Sequence, residues 1–265
     1  MPWGVRKPLL PPVMAKKIQT GEQASNQSFS GFVYQGNAYE GLTCDALEWI
    51  ASSNGGHFID GNKSTINNSK AADILNLFRA NVGVTSPRAV TTYQEGEAQT
   101  AFTNGDAAFE RNWPYAYSLN QAAGSKVKGK FAVAPLPHGA GGHSVATVGG
   151  WQLAVSKYSK HKDASIEFVR YMTSKAVEKF DTITNSNVPT IPSLALDAQV
   201  RKVAPYLNPA TANVPRATRP SSVLGAKYNE GSKDIYQAIS RILNGAKAQS
   251  VLPGLQTQLN ALLKK

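Results

Sequence analysis

The chain has 265 residues, 42% of them apolar and 17% charged, with 28 Lys and Arg against 17 Asp and Glu for a net charge of +11. That apolar content belongs to a folding globular chain and excludes a disordered polyelectrolyte, and no run approaches the about 18 uninterrupted apolar residues of a membrane span. The basic residues come in ones and twos, densest at Lys16-Lys17 and from Lys157 to Lys162, with little of the aromatic interleaving that stacks bases, so the charge reads as a solvated surface rather than a nucleic-acid site.

The first dozen residues hold four prolines and no periodicity, which predicts an irregular N-terminus over residues 1–13. A short helical pattern follows from Val13 to Gln19, stopped at Gly21. Ser30 to Tyr34 predicts a strand with Phe32 and Tyr34 on one face. From Tyr39 to Ser53 the apolar residues Leu42, Ala46, Trp49 and Ile50 recur at helical spacing, ended by Gly55-Gly56. His57 to Ile66 reads as a strand pair turning at Asp60-Gly61, the strongest short hairpin signal. A helix from Ser69, taken as its N-cap, carries Ile74, Leu75, Phe78 and Val82 to a stop at Gly83.

Tyr93 to Asn104 predicts a further helix and Ala107 to Glu110 a strand, after which Trp113 stands at a strand-to-helix junction with Pro114 in a first helical turn. Such junctions are where ligands meet α/β sheets. Phe131 to Pro135 and Gly150 to Val155 are expected strands, separated by a Gly- and His-containing loop. Helices then dominate: Lys162 to Thr173 with Ile166, Val169 and Met172 on one stripe, Ser174 to Thr184, Gly225 to Asn244 and Leu252 to Leu263. No fixed-period repeat occurs, and the alternation of strands and helices predicts an α/β fold.

The single cysteine, Cys44, lies among leucines and reads as a buried structural thiol. With four scattered histidines it has no ligand-like spacing, so neither a metal nor another cofactor is expected. Three segments stand out instead: Arg111-Asn-Trp-Pro-Tyr-Ala-Tyr117, Val148-Gly-Gly-Trp-Gln152, and Arg219-Pro-Ser221 with Tyr228-Asn-Glu230. A sugar presents apolar C–H faces and a rim of hydroxyls, so a site for it needs flat aromatic platforms with donors and acceptors at the edge. Gly149-Gly150 would let backbone amides approach a ligand beside Trp151 and permit φ above zero. Each segment also has a plainer reading, as core aromatics, a turn or a surface charge; their combination favours a site.

In this order, Tyr39-Glu-Gly-Leu42, Asn112-Trp-Pro-Tyr-Ala-Tyr117, Val148-Gly-Gly-Trp151, Asn187-Val-Pro-Thr-Ile-Pro192, Arg219-Pro-Ser221 and Tyr228-Asn229 resemble the extracellular sugar-binding proteins of ABC transporters, nearest the trehalose/maltose-binding branch. The resemblance spans residues 14 to 265. It implies a class II periplasmic-binding-protein-like α/β fold, with residues 14–147 and 193–265 as a complete C-terminal lobe and 148–192 as a remnant of the N-terminal lobe. It also implies a non-enzymatic receptor, periplasmic or extracellular, that binds an oligosaccharide or α-glucosyl disaccharide and docks on permease subunits, and so meets the membrane only peripherally.

Carried over residue by residue, Trp113, Tyr115 and Trp151 resemble the family's sugar-contacting aromatics, Gly149 and Gly150 its glycine pair, Arg219 its hydroxyl-binding arginine and Tyr228 a further aromatic contact. Glu40 would accept a sugar hydroxyl, with Tyr39 as the alternative. The family pattern begins with a secretory signal and most of the N-terminal lobe, neither of which stands here, and Leu9-Leu-Pro-Pro12 replaces the expected helix start. That departure implies a truncated gene, a frameshift near the start or a cloned fragment. Two competing functions are a glycoside hydrolase, for which Glu40, Glu48, Glu110 and Glu230 form no recognisable pair, and a basic nucleic-acid-binding domain. No Gly-x-Ser-x-Gly element supports a serine nucleophile.

Overall fold

A computed structural model of the chain describes residues 11–208 and 213–264. Of the expected irregular N-terminus, residues 1–10 lie outside the described residues, whereas 11–13 are helical: the first helix runs Pro11–Glu22. Two prolines suit its opening turn, where the backbone N–H has no intrahelical partner to lose. Gln19 ties this helix down, donating to the Val84 carbonyl at 2.9 Å and accepting from the Gly31 amide at 3.1 Å.

The chain divides into two compact units. The first holds the residues up to Asn112, Pro135–Val148 and those from Val214 onward; the second holds Trp113–Ala134 and Gly149–Asn213. This differs from the expected lobes, because 113–134 and 193–213 join the second unit. The physical reason is an aromatic contact: the Tyr117 ring lies 5.3 Å from Phe131 and 5.8 Å from Tyr206, beside a small core of Val200, Ala204 and Tyr206.

In the first unit, β1 (Ser30–Val33) pairs in parallel with β4 (Ala107–Glu110), with Phe32 opposite Phe109. The hairpin β2 (Ile59–Asp60) and β3 (Lys63–Ser64) forms where Asp60-Gly61 predicted it, Gly61 taking the positive φ of 59° that a turn here requires. A third short parallel pair joins β5 (Ala146–Thr147) to β6 (Arg216–Ala217). Around these pack the helices Glu40–Ser52, Ser69–Asn81, Tyr228–Leu243 and Ala248–Leu263, sharing one core that includes Leu42, Ile50, Leu75, Ile239 and Leu252. Trp49 stacks on Phe78, ring centres 3.7 Å apart and planes 13° apart, and Tyr34 meets Trp49 edge-on at 5.2 Å. The expected stripe of the Glu40–Ser52 helix is buried, and so is Cys44, whose thiol burial pushes up to about 12.

Several boundaries differ from the sequence reading. The cap of the Ser69–Asn81 helix is Asn68, not Ser69: its side-chain oxygen accepts from the Ala71 amide at 3.0 Å while its Nδ2 donates to the Gly55 and Thr65 carbonyls, both at 2.9 Å. Asn68→Ala is expected to lower stability by about 1–2 kcal/mol, read as a shifted urea midpoint at unchanged slope. The last helix begins at Ala248 rather than the expected Leu252, so Pro253 lies inside it; the core contacts of Val251 and Leu252 hold the extra turn.

In the second unit the helices Lys162–Met172, Lys175–Asn185 and Ala198–Val203 form, but among the described residues no strand does. The expected strands at Phe131–Pro135 and Gly150–Val155 are therefore corrected to segments without regular secondary structure, since a strand exists only where a neighbour completes its hydrogen-bond ladder. Likewise the stripe of Lys162–Met172 is not buried: Ile166 and Met172 are 40% and 37% exposed. Glu178 anchors the Asn187–Pro192 motif, accepting from the Thr190 hydroxyl at 2.6 Å and from the Thr190 and Ile191 amides at 2.8 and 3.1 Å.

Candidate functional site

The residues expected to contact ligand fall in both units, and each set has its own construction. In the first unit Tyr39 is the extended residue that opens the Glu40–Ser52 helix. Its ring folds back over Gly41, where an added Cβ would come within 2.2 Å of the phenol oxygen, so a glycine is what lets the ring lie there. Burial, with Glu95 hydrogen-bonded beside it, raises the Tyr39 phenol pKa.

Glu40, in the first turn of the same helix, is the centre of a hydrogen-bonded cluster. Its Oε1 accepts from the Arg219 guanidinium and from the Tyr228 hydroxyl, and its Oε2 accepts from the Ser232 hydroxyl. Glu40, Arg219 and Tyr228, from separate parts of the sequence, thus meet. Ser232 was not anticipated; it lies one helical turn after Tyr228, and only that spacing could have pointed to it. Burial, followed by the bond to Glu40, raises the Tyr228 phenol pKa. The side chains of Arg219 and Glu40 keep 26% and 40% exposure, so both remain open to solvent. Beside Arg219 a cavity of about 220 Å³ is lined by His57, Phe58, Thr218 and Ser222 among others, room for several waters and less than the about 300 Å³ of a drug-sized pocket.

Below this cluster the same helix carries a second polar group that sequence reasoning passed over. Arg111 is fully buried, its Nε and one Nη donating to the Glu48 carboxylate at 2.9 and 2.7 Å, its other Nη reaching the Gln35 side chain at 2.8 Å and lying 2.9 Å from Asp45 Oδ1. Burial works against the cation, but Asp45 and Glu48 outweigh it and Arg111 stays charged. Asp45 is pushed up by burial, against the pull of Arg111. Glu48 also accepts from the Thr147 amide at 3.0 Å, so the network joins the end of β4, the helix and β5. With Arg111 only 3% exposed, this network ties down the backbone at the end of β4.

In the second unit Trp113 follows β4, and a turn rather than a helix contains Pro114, whose carbonyl accepts from the Tyr117 amide at 3.0 Å. Tyr115 caps the short helix Ala116–Asn120. The Trp113 ring lies against Gly149, where an added Cβ would stand 3.5 Å from the ring edge. Neither Gly149 nor Gly150 has a positive φ, which corrects the expectation that the pair serves left-handed backbone. Trp151 is 97% exposed, an aromatic face not spent on the core of its unit. Tyr117 packs against Phe131 and Tyr206. Among the described residues no group of three or more His, Cys, Asp or Glu is placed to hold a metal, and no helix is long and apolar enough to cross a membrane.

Residues 14–179 match the family model of the bacterial extracellular solute-binding proteins. The chain belongs to that family. A probable ABC transporter-binding protein of Deinococcus radiodurans is 45% identical over 246 residues, 92% of this chain and 58% of the relative. The solved structure of maltose-bound MalE3 from T. maritima superposes with a TM-score of 0.86 at 33% identity, over 98% of this chain and 67% of that one. A solute-binding protein from Agrobacterium radiobacter K84 in complex with ribitol shares the fold, with a TM-score of 0.78 at 22% identity over 95% of this chain and 63% of its own.

This solute-binding protein therefore has the class II periplasmic-binding-protein α/β fold, and the chain spans 58% of the length of the curated relative it matches. The family consists of ABC-transporter receptors and not of enzymes, which sets aside the glycoside-hydrolase reading.

Proposed function

We propose that the chain is the solute-binding component of a carbohydrate importer, working outside the cytoplasmic membrane, taking an α-glucosyl disaccharide of the maltose or trehalose type or a longer oligosaccharide, and delivering it to permease subunits. The observation that carries this reading is the convergence of Glu40, Arg219 and Tyr228 into one half-exposed cluster. A carboxylate beside a forked cation and a phenol is the set that recognises vicinal hydroxyls. Within the second unit by itself, the exposed Trp151 and the Trp113 ring beside Gly149 are flat apolar surface of the kind that a pyranose face prefers. The maltose in the T. maritima relative supports the sugar class.

Calorimetric titration with maltose, trehalose and maltotriose, beside ribitol and galactose as controls, tests it. Saturable binding of an α-glucosyl sugar is expected, with the sugar recovered intact. Binding of none of them, or release of monosaccharide over time, would overturn the reading.

A further inference from the structure

Glu40 is held from behind as well as from the side. Ser232, 2% exposed, donates to Oε2, and its own oxygen lies 2.9 Å from the hydroxyl of Thr43, which is fully buried and also within 3.3 Å of the Ser232 carbonyl. A serine hydroxyl has one proton. Since Ser232 gives that proton to Glu40, the Thr43 hydroxyl is the donor in the bond between them, its own single proton shared between Ser232 Oγ at 2.9 Å and the Ser232 carbonyl, to which it also donates at 3.3 Å. The direction is thereby set: Thr43 donates to Ser232, and Ser232 donates to Glu40. Thr43 stands one turn after Glu40 on its helix, and Ser232 one turn after Tyr228 on the other, so two helices lock the same carboxylate.

We infer that Ser232, backed by Thr43, is the positioning residue of this site, fixing the Glu40 carboxylate so that Oε1 meets Arg219 and Tyr228 and Oε2 retains one free acceptor position. A carboxylate has about four lone-pair sites; two on Oε1 and one on Oε2 are occupied. Without the Ser232 bond the carboxylate can rotate, Oε2 can compete for Arg219, and the guanidinium loses its fixed aim. This inference rests on the reading of Glu40, Arg219 and Tyr228 as ligand contacts, and adds the pair that orients them.

The test uses Ser232→Ala, Thr43→Val and the hydroxyl-retaining Thr43→Ser in the full chain, with two readouts. The first needs no sugar: in a proton–nitrogen spectrum, the Arg219 guanidinium N–H signal, assigned by its loss in Arg219→Lys, should be slow to exchange in the parent and Thr43→Ser chains and lost in Ser232→Ala. The second is disaccharide affinity, expected to fall about tenfold in Ser232→Ala and less in Thr43→Val, with Thr43→Ser near the parent and melting temperatures little changed. An Arg219 signal that persists in Ser232→Ala overturns the inference. So does sugar binding that Arg219→Ala removes and Ser232→Ala leaves intact. A parent chain that binds no sugar defeats the functional reading alone, and the N–H signal then still decides whether Ser232 positions Glu40.

Discussion

Arg111→Met is expected to remove about 3–5 kcal/mol of folding stability. Methionine fills much of the same volume, so cavity formation is a minor part of the loss. The loss comes from Asp45 and Glu48, both buried, left facing one another without the cation 2.9 and 2.7 Å away. The Gln35 side-chain oxygen would lose its donor as well. Urea unfolding at neutral pH would show the loss as a lowered midpoint.

The pH dependence of that variant follows from sign. Burial already holds the folded-state pKa of Asp45 above its unfolded value, and removing the cation raises it further. A carboxyl with a raised folded pKa binds its proton more tightly in the folded state, so stability declines as pH rises from the unfolded value through the folded one. The penalty of Arg111→Met should therefore be full at pH 7 and shrink as the pH approaches about 4, the ordinary range of a free carboxylate. Adding Asp45→Asn and Glu48→Gln should restore most of the stability at pH 7. A loss below about 1 kcal/mol, or one indifferent to pH, would show that the network does not hold the fold.

Arg219→Ala is expected to weaken disaccharide binding about 30-fold, from about 2 kcal/mol, the lower end of what truncating a hydrogen-bonded charged partner costs. Stability should change far less, because Glu40 is 40% exposed, water can replace the lost donor, and a half-exposed ion pair contributes little. That separation of affinity from stability distinguishes Arg219 from Arg111, two arginines that each face glutamate. Arg219→Lys should recover only part of the affinity, since a lysine is a point charge and cannot serve Glu40 and a ligand with one planar fork. Titration calorimetry beside thermal melts would separate the two effects; affinity within about threefold of the parent for Arg219→Ala would rule Arg219 out as a contact.

How far the sequence carried depended on whether a feature is local. The helices Glu40–Ser52 and Ser69–Asn81 were legible to within a residue or two, because apolar spacing and Gly-rich stops act over one or two turns. The Asp60-Gly61 turn was equally legible, since its chemistry lies in two residues. The strands expected at Phe131–Pro135 and Gly150–Val155 failed for the opposite reason: alternation marks a segment able to extend, while a ladder depends on a partner elsewhere. The last helix starts at Ala248 and not at Leu252 because tertiary burial of Val251 and Leu252 outweighs the local breaker Pro253. Ser232 and Thr43 were invisible, as nothing in the pattern of one helix says which hydroxyl faces a carboxylate 192 positions away.

The sequence by itself therefore determined the α/β class, the order of the motifs and the residue types a sugar site demands, since composition, periodicity and side-chain chemistry belong to the chain before it folds. Only the tertiary structure decided that Glu40, Arg219, Tyr228 and Ser232 share one cluster, that Arg111 is a buried support rather than a contact, and that Trp113 and Tyr115 belong to the unit of Gly149 and Trp151. Hydrogen bonds act over about 3 Å, and residues far apart along a chain come within that distance only when the packing of helices around a common core brings them there.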